Sequence, residues 1–315
     1  MTRFLAQRVA AFLATVVAVT LVVFVALNVL PGDPARTILG IAAEPAAVAA
    51  LHERLGLDRP LAVRYLAWAG ALFTGDFGES WTYRVPVAEL LAPRFAVTLP
   101  LAAMAFSLTL VIGMGLGLLA AARRGRPADW VTMTLAQVGV AVPDFWLAMV
   151  LILVFAVNLH WFPAGGFAGW DAGAGPALLS LVLPAVALAA VQVAVLTRIT
   201  RAAALEVLTE EFVRATRAKG LSGIRTVVRH VLGNTLVPVT AVLGLQVSYL
   251  IGGAVVIENV FTLPGLGRLL FQSIANRDLA TVGAIVVVLS GLVVAVNFCI
   301  AVVQRTIDPR LARES

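Results

Sequence analysis

Five stretches of this chain, residues 9–30, 95–122, 173–197, 231–257 and 279–304, contain no Asp, Glu, Lys or Arg. Each reaches the roughly 20 residues that a helix needs to cross the hydrocarbon layer of a bilayer. A sixth run, 131–159, is interrupted only by Asp144. Lipid offers no partner to a bare N–H or C=O, so runs of this length must fold as helices that satisfy their own backbone. The strands of a membrane barrel would instead alternate apolar and polar residues. Composition agrees: 61% of the 315 residues are hydrophobic and 13% are charged, against about 25% charged in soluble domains. Disorder and collagen are excluded on the same ground. The fold expected is an all-α membrane protein with six transmembrane helices.

The spans are expected at about 9–30, 98–122, 131–159, 177–197, 234–257 and 279–303, within one transmembrane domain covering 1–315. Residues 31–97 would form a long segment on one side and 198–233 a charged loop on the other. The net charge of +6 sits beside the spans, where it sets topology, so no nucleic acid is implied. Fifteen of the 23 basic residues fall on the side shared by the two termini. That side is therefore expected to be cytoplasmic. The first run is kept as a span, not a signal peptide, because it is long and the following Leu30-Pro31-Gly32 offers no small-x-small cleavage site. Cys299, alone, permits no intrachain disulfide. Within the external segment, Pro45 opens a helix that Gly56 stops, and Pro60 opens another that ends near Gly75. Trp68, Phe73, Phe77 and Trp81 suit short helices lying at the membrane interface.

Several chemistries are poorly provided for. A phosphate-cradling Walker A loop ends in Gly-Lys-Ser or Gly-Lys-Thr, yet the only lysine stands in Ala218-Lys219-Gly220. Gly113-Met114-Gly115-Leu116-Gly117 has the look of a dinucleotide loop but lies inside an apolar run, where small residues let helices approach. An intramembrane protease would need His at membrane depth, and His52, His160 and His230 fall in loops or at span ends. No His-Glu-x-x-His occurs, no metal site is expected, and no residue is singled out as catalytic.

The polar residues left inside the spans are few. Gln137, Asp144, Gln192, Gln246 and Asn297, with Glu258 near the outer mouth of the fifth span, are candidates for lining a path. Each amide can equally hydrogen-bond a neighbouring helix. Asp144 follows Pro143, which breaks the helix near mid-span and offers the carboxylate local backbone amides. In the charged loop, residues 205–219 can form a helix, with Glu206, Glu210 and Glu211 toward its start and Arg214, Arg217 and Lys219 toward its end. Gly220 stops it. Such a helix is either a solvated surface element or a short lever offered to a partner protein.

A series of short stretches stands out in order along the chain. They begin with Leu30-Pro31-Gly32-Asp33-Pro34, Leu55-Gly56-Leu57-Asp58-Arg59-Pro60 and Gly75-Asp76-Phe77-Gly78. Pro143-Asp144-Phe145-Trp146 and Trp161-Phe162-Pro163 follow, then the run from Phe212 to Leu221 with Arg229, His230 and Asn234. The last are Val260-Phe261-Thr262-Leu263-Pro264-Gly265-Leu266-Gly267-Arg268-Leu269, Asn276-Arg277-Asp278 and Asp308-Pro309-Arg310. Together they resemble the B-type permease of bacterial binding-protein-dependent ABC importers for dipeptides, oligopeptides and nickel.

The resemblance implies a subunit that binds no cofactor itself. ATP and Mg would be used by two ATP-binding subunits, or one fused pair, seated beneath this chain and a homologous C-type permease. An external solute-binding protein would deliver the substrate. In such permeases the cytoplasmic loop carries the EAA coupling helix. Its positions map onto Phe212, Arg214, Ala215, Thr216, Arg217, Lys219, Gly220 and Leu221, with Arg214 standing where many members have an acid. Span six likewise has Ala301 where many members carry an acidic residue. Peptide is the expected substrate, with nickel chelate or another small solute as the alternative. A stand-alone secondary transporter, a membrane enzyme and a structural scaffold remain as readings from other classes.

Overall fold

A computed structural model describes residues 2–29, 34–40, 43–211, 213 and 231–307. Among the described residues the chain is helical throughout, with a single isolated β-bridge between Glu79 and Pro86. In chain order the helices are α1 (Thr2–Val29), α2 (Pro34–Leu39), α3 (Pro45–Leu55), α4 (Leu61–Phe73), α5 (Val87–Leu108) and α6 (Met114–Ala122). They continue as α7 (Pro127–Ala141), α8 (Asp144–Leu151), α9 (Ala174–Val207), α10 (Leu232–Val260), α11 (Leu266–Ala275) and α12 (Leu279–Ile307).

Among the described residues five helices are long and apolar enough to cross a membrane, and α7 and α8 acting together would give a sixth crossing. A π-helical turn at Thr109–Gly113 joins α5 and α6 into one rod of 36 residues, about 54 Å long. The rod begins at Val87 and so extends well outside the hydrocarbon layer. A second π-turn, Ile152–Asn158, prolongs α8. At Val142-Pro143 the axis turns by 104°, because proline lacks the N–H that would continue the ladder. The apolar run 131–159 is thus two half-helices set nearly at right angles.

The small helices obey their punctuation. Pro45 occupies the first turn of α3, and Gly56, at φ 64°, closes it with its N–H on the carbonyls of Glu53 and His52. The start expected at 205 for a cytoplasmic helix is not found. Ala202, Ala203, Ala204 and Leu205 favour helix and nothing interrupts them, so α9 runs on to Val207 and the chain turns at Leu208–Glu210.

The centre of the bundle is α9. Its buried side is built from small residues, including Ala185, Ala187, Ala189 and Ala194, with Leu181, Leu188 and Leu196 between them. Close approach makes this core possible. A Cβ added to Gly117 would lie 2.6 Å from Thr200 Cβ and 2.7 Å from the Thr197 carbonyl, and one on Gly113 would lie 2.9 Å from Leu196 Cβ. These two glycines, one turn apart, let the second span lie flat on α9. Gly139 meets Ala194 in the same way at 3.0 Å.

Candidate translocation elements and their anchors

The coupling residues proposed from sequence, Phe212, Arg214, Ala215, Thr216, Arg217, Lys219, Gly220 and Leu221, lie outside the described residues. Their flanks are informative. Val213 and Val231 are both fully buried, in one cluster with Ala121 of α6 and Ala204 of α9. The charged loop therefore leaves and re-enters the bundle at one point, which is fixed to the ends of two spans. Nearby, Arg201 grips Asp129 through two bonds, Nε to Oδ1 at 2.6 Å and an Nη2 contact to Oδ2 at 2.8 Å. The Gly125 N–H adds a third at 3.0 Å. This fork-to-fork geometry clamps the start of α7 and its turn onto the end of α9. Asp129 also complements the dipole at the α7 N-terminus.

Three of the polar candidates, Asn297, Gln246 and Asp144, lie on or beside α10. Asn297 of α12 donates to the Val293 carbonyl at 2.9 Å, and its Oδ1 occupies the space that a Cβ on Gly244 would need. Gln246, 2% exposed, buries an amide that finds no hydrogen-bond partner among the described residues. Asp144 begins α8, half-buried, with Oδ2 lying 3.5 Å from a Cβ built on Gly253. Gln192 is buried on α9. The nine residues from Gly244 to Gly253 separate the Asn297 and Asp144 contacts by about 14 Å, so the candidates form a ladder and do not converge on one centre.

Glu258, at the end of that ladder, is fully buried and already engaged. Its carboxylate accepts from the Thr98 hydroxyl at 2.6 Å and from the N–H groups of Gly267 and Arg268 at 2.7 and 3.1 Å. Thr98 Oγ1 in turn accepts from the Leu266 N–H at 2.9 Å. The first amides of α11, orphaned by helix geometry, are thereby capped by two side chains from two different spans. Gly265 and Gly267 are required here. A Cβ on Gly265 would collide with the Glu258 carboxylate, and one on Gly267 would strike Val255 Cα.

Asp278, named in the sequence only within the Asn276-Arg277-Asp278 stretch, is a further buried carboxylate. Asp278 caps α12, accepting from the Thr281 N–H at 3.2 Å and the Thr281 hydroxyl at 2.9 Å. It also receives the Ser80 hydroxyl and the N–H groups of Trp81 and Thr82, at 3.2 and 3.4 Å. The turn at 79–86 is thus fastened to the start of the last span. An Asp directly before an apolar run, with Thr three residues on, was the available N-cap signal. The partners Thr98 and Ser80 carry no such mark. On the same end of the bundle, the loop after α8 rests on α10, with the Gly166 N–H bonded to the Phe261 carbonyl at 2.8 Å. The Trp170 indole N–H reaches the Ala96 carbonyl at 2.8 Å.

An apolar helical bundle with one bent crossing, a loop rooted at a single point on one end and side-chain-capped helices at the other is the build of a membrane transport subunit. Comparison with known families gives the particular one. Residues 113–313 match the binding-protein-dependent transport system inner membrane component, and residues 1–102 match the N-terminal region of such membrane components. The chain belongs to this family of ABC importer permeases. It is 40% identical to a putative peptide transport system permease protein of Brucella suis, with 99% of each chain covered. A probable peptide ABC transporter permease protein of Sinorhizobium fredii is 37% identical over 98% of each chain. A glutathione transport system permease protein of Salmonella choleraesuis is 37% identical over 99% of each.

Proposed function

We propose that this permease forms half of the translocation pathway for di- or oligopeptides, released to it by an external solute-binding protein. The observation that carries this reading is end-to-end similarity to permeases named for peptide and glutathione transport. A homologous permease supplies the other half of the pathway, and two ATP-binding subunits, or one fused pair, dock beneath. Both termini and the loop 198–233 face the cytoplasm, while 31–97 faces outward, in keeping with the distribution of Arg and Lys. ATP and Mg belong to the partner subunits.

ATP binding closes the ATPases on the segment from Phe212 to Leu221 and rocks the spans from inward-facing to outward-facing. Hydrolysis resets them. The rooting of that segment at Val213 and Val231 on α6 and α9 supports such a lever, since a pull there is delivered to two spans together. Asp144, Gln246 and Asn297 contribute polar groups along α10 toward the pathway, and Gln192 contributes one from α9. Glu258 holds helix α11 in place. A peptide cargo fits better than a bare metal, because the described residues contain no group of three or more His, Cys, Asp or Glu able to hold one.

The test is uptake of labelled di- and tripeptides into vesicles holding the complete complex with its binding protein. Gly220→Leu and Ala215→Asp should insert normally, keep ATP turnover and lose uptake by tenfold or more. Wild-type uptake by either variant would remove the lever assignment. Import of a nickel chelate in place of peptide would correct the substrate.

A further inference from the structure

At the end of the bundle that carries α3 and α4, a cavity of 650 Å³ opens between α1, α4, the turn at 79–86 and the first residues of α12. Its rim carries Arg54, Arg59, Arg64 and Arg84 and the single acid Glu79. None of the four guanidinium groups is ion-paired among the described residues. Four unneutralised arginines around one opening repel each other, and that arrangement is stabilised by an anion.

The floor has the opposite character. Phe24 and Leu27 of α1, Trp68 of α4 and Leu279 at the start of α12 form it. Phe24 meets Tyr65 edge-to-face and Trp68 at a tilt, with ring centres 5.5 and 5.7 Å away. The neighbouring surface continues this apolar character outward, through Val22 and Val29 on α1 and Leu66 and Phe73 on α4, all strongly exposed. The cavity thus joins a cationic rim to a lipid-facing wall, at the level where α1 ends and α12 begins. Arg84 is presented by a held backbone: it sits at φ 55° with its N–H on the Ser80 carbonyl at 2.9 Å, and Ser80 is itself tied to Asp278.

We infer that this cavity binds the phosphodiester headgroup of an anionic phospholipid, with an acyl chain lying along Phe24, Leu27 and Trp68. Guanidinium forks match phosphate oxygens, and basic pockets between spans take anionic lipid headgroups. A soluble phosphate would use the rim but not the floor. An acidic peptide or a protein carboxylate would likewise leave the floor unused. This inference stands apart from the transported substrate and from which side of the membrane the cavity faces.

The experiment is native mass spectrometry of the full chain, with whatever subunits co-purify, in detergent titrated with equal amounts of phosphatidylglycerol and phosphatidylcholine. At least one phosphatidylglycerol should be retained about tenfold more strongly than phosphatidylcholine. Arg54→Gln/Arg84→Asn should abolish the preference, since about fivefold per arginine, roughly 25-fold for the two, exceeds the tenfold difference; Asn tolerates the left-handed backbone at 84. Arg59→Gln alone should reduce the preference several-fold, which covers the case in which the double variant does not fold. Arg123→Gln, at the other end of the bundle, should leave the preference intact. A preference that survives in the rim variants would overturn the inference. So would displacement of the lipid by millimolar glycerol 3-phosphate, which would mark a soluble-anion site, or by an acidic hexapeptide, which would mark a protein-docking site.

Discussion

Helices α1 and α9 are both apolar enough to span a bilayer, and α1 is the more apolar of the two. Yet α9 is the core of the bundle, while α1 buries little beyond Thr20, Val23 and Phe24 and exposes Leu13, Val17, Leu21 and Val22. In water the ranking would be reversed. In lipid, apolar surface gains nothing by leaving a hydrocarbon solvent, and helices associate through close packing and polar contacts. The central helix is therefore the one rich in Ala and faced by Gly113, Gly117 and Gly139, with Leu181, Leu188 and Leu196 packed between the small residues, while the aliphatic side chains of α1 are largely left to the outside. Close approach through small residues, not hydropathy, decides which of these two helices is central.

That contrast can be broken at its strongest point first. Gly117→Leu would push α6 off α9 at Thr197 and Thr200 and should cost about 3 kcal/mol. The expected outcome is loss of the monodisperse peak in detergent size exclusion. Glu258→Ala strands the Gly267 and Arg268 amides and the Thr98 hydroxyl in a buried site and should cost about 2 kcal/mol. Its thermal midpoint in detergent should fall clearly below that of Glu258→Gln, which keeps an acceptor. Arg201→Ala leaves Asp129 buried without its fork, and about 1–2 kcal/mol should be lost because the pair sits partly open at the bundle end. Asp129→Asn combined with Arg201→Ala should recover part of that loss in a double-mutant cycle. The smallest effect belongs to α1: Val22→Ala should leave the midpoint unchanged within about 0.5 kcal/mol. A large loss there would mean that the exposed face of α1 supports the isolated subunit after all.

Much of this architecture is written locally. The uncharged runs locate the long helices, Pro45 with Gly56 delimits α3, and Gly113 with Gly117 announces a close helix contact. Pro143 marks a break, but the 104° turn it permits is decided by how α7 and α8 pack on α9, which no single run encodes. The end of α9 was misplaced for a similar reason: helix propensity continues through Ala204, and the burial of that residue against Ala121 is a tertiary fact. The anchors were the least visible. Thr98 and Glu258 are 160 residues apart, and Ser80 and Asp278 are 198 apart. Each looks ordinary until the fold brings its partner to it. Glu258 stood out as a polar residue near a span end, and the sequence alone could not separate a pathway carboxylate from a helix cap.

The Thr98–Glu258 cap also orders the birth of the protein. When the ribosome has threaded the fifth span into the membrane, Glu258 is already at hand for the Gly267 and Arg268 amides of α11, while the Leu266 amide waits for a threonine inserted long before. The cap is therefore complete only once the second span meets the fifth. Two coexpressed fragments severed between Val213 and Val231 would carry that threonine and that glutamate on separate polypeptides, and their rejoining would report when the closing step takes place.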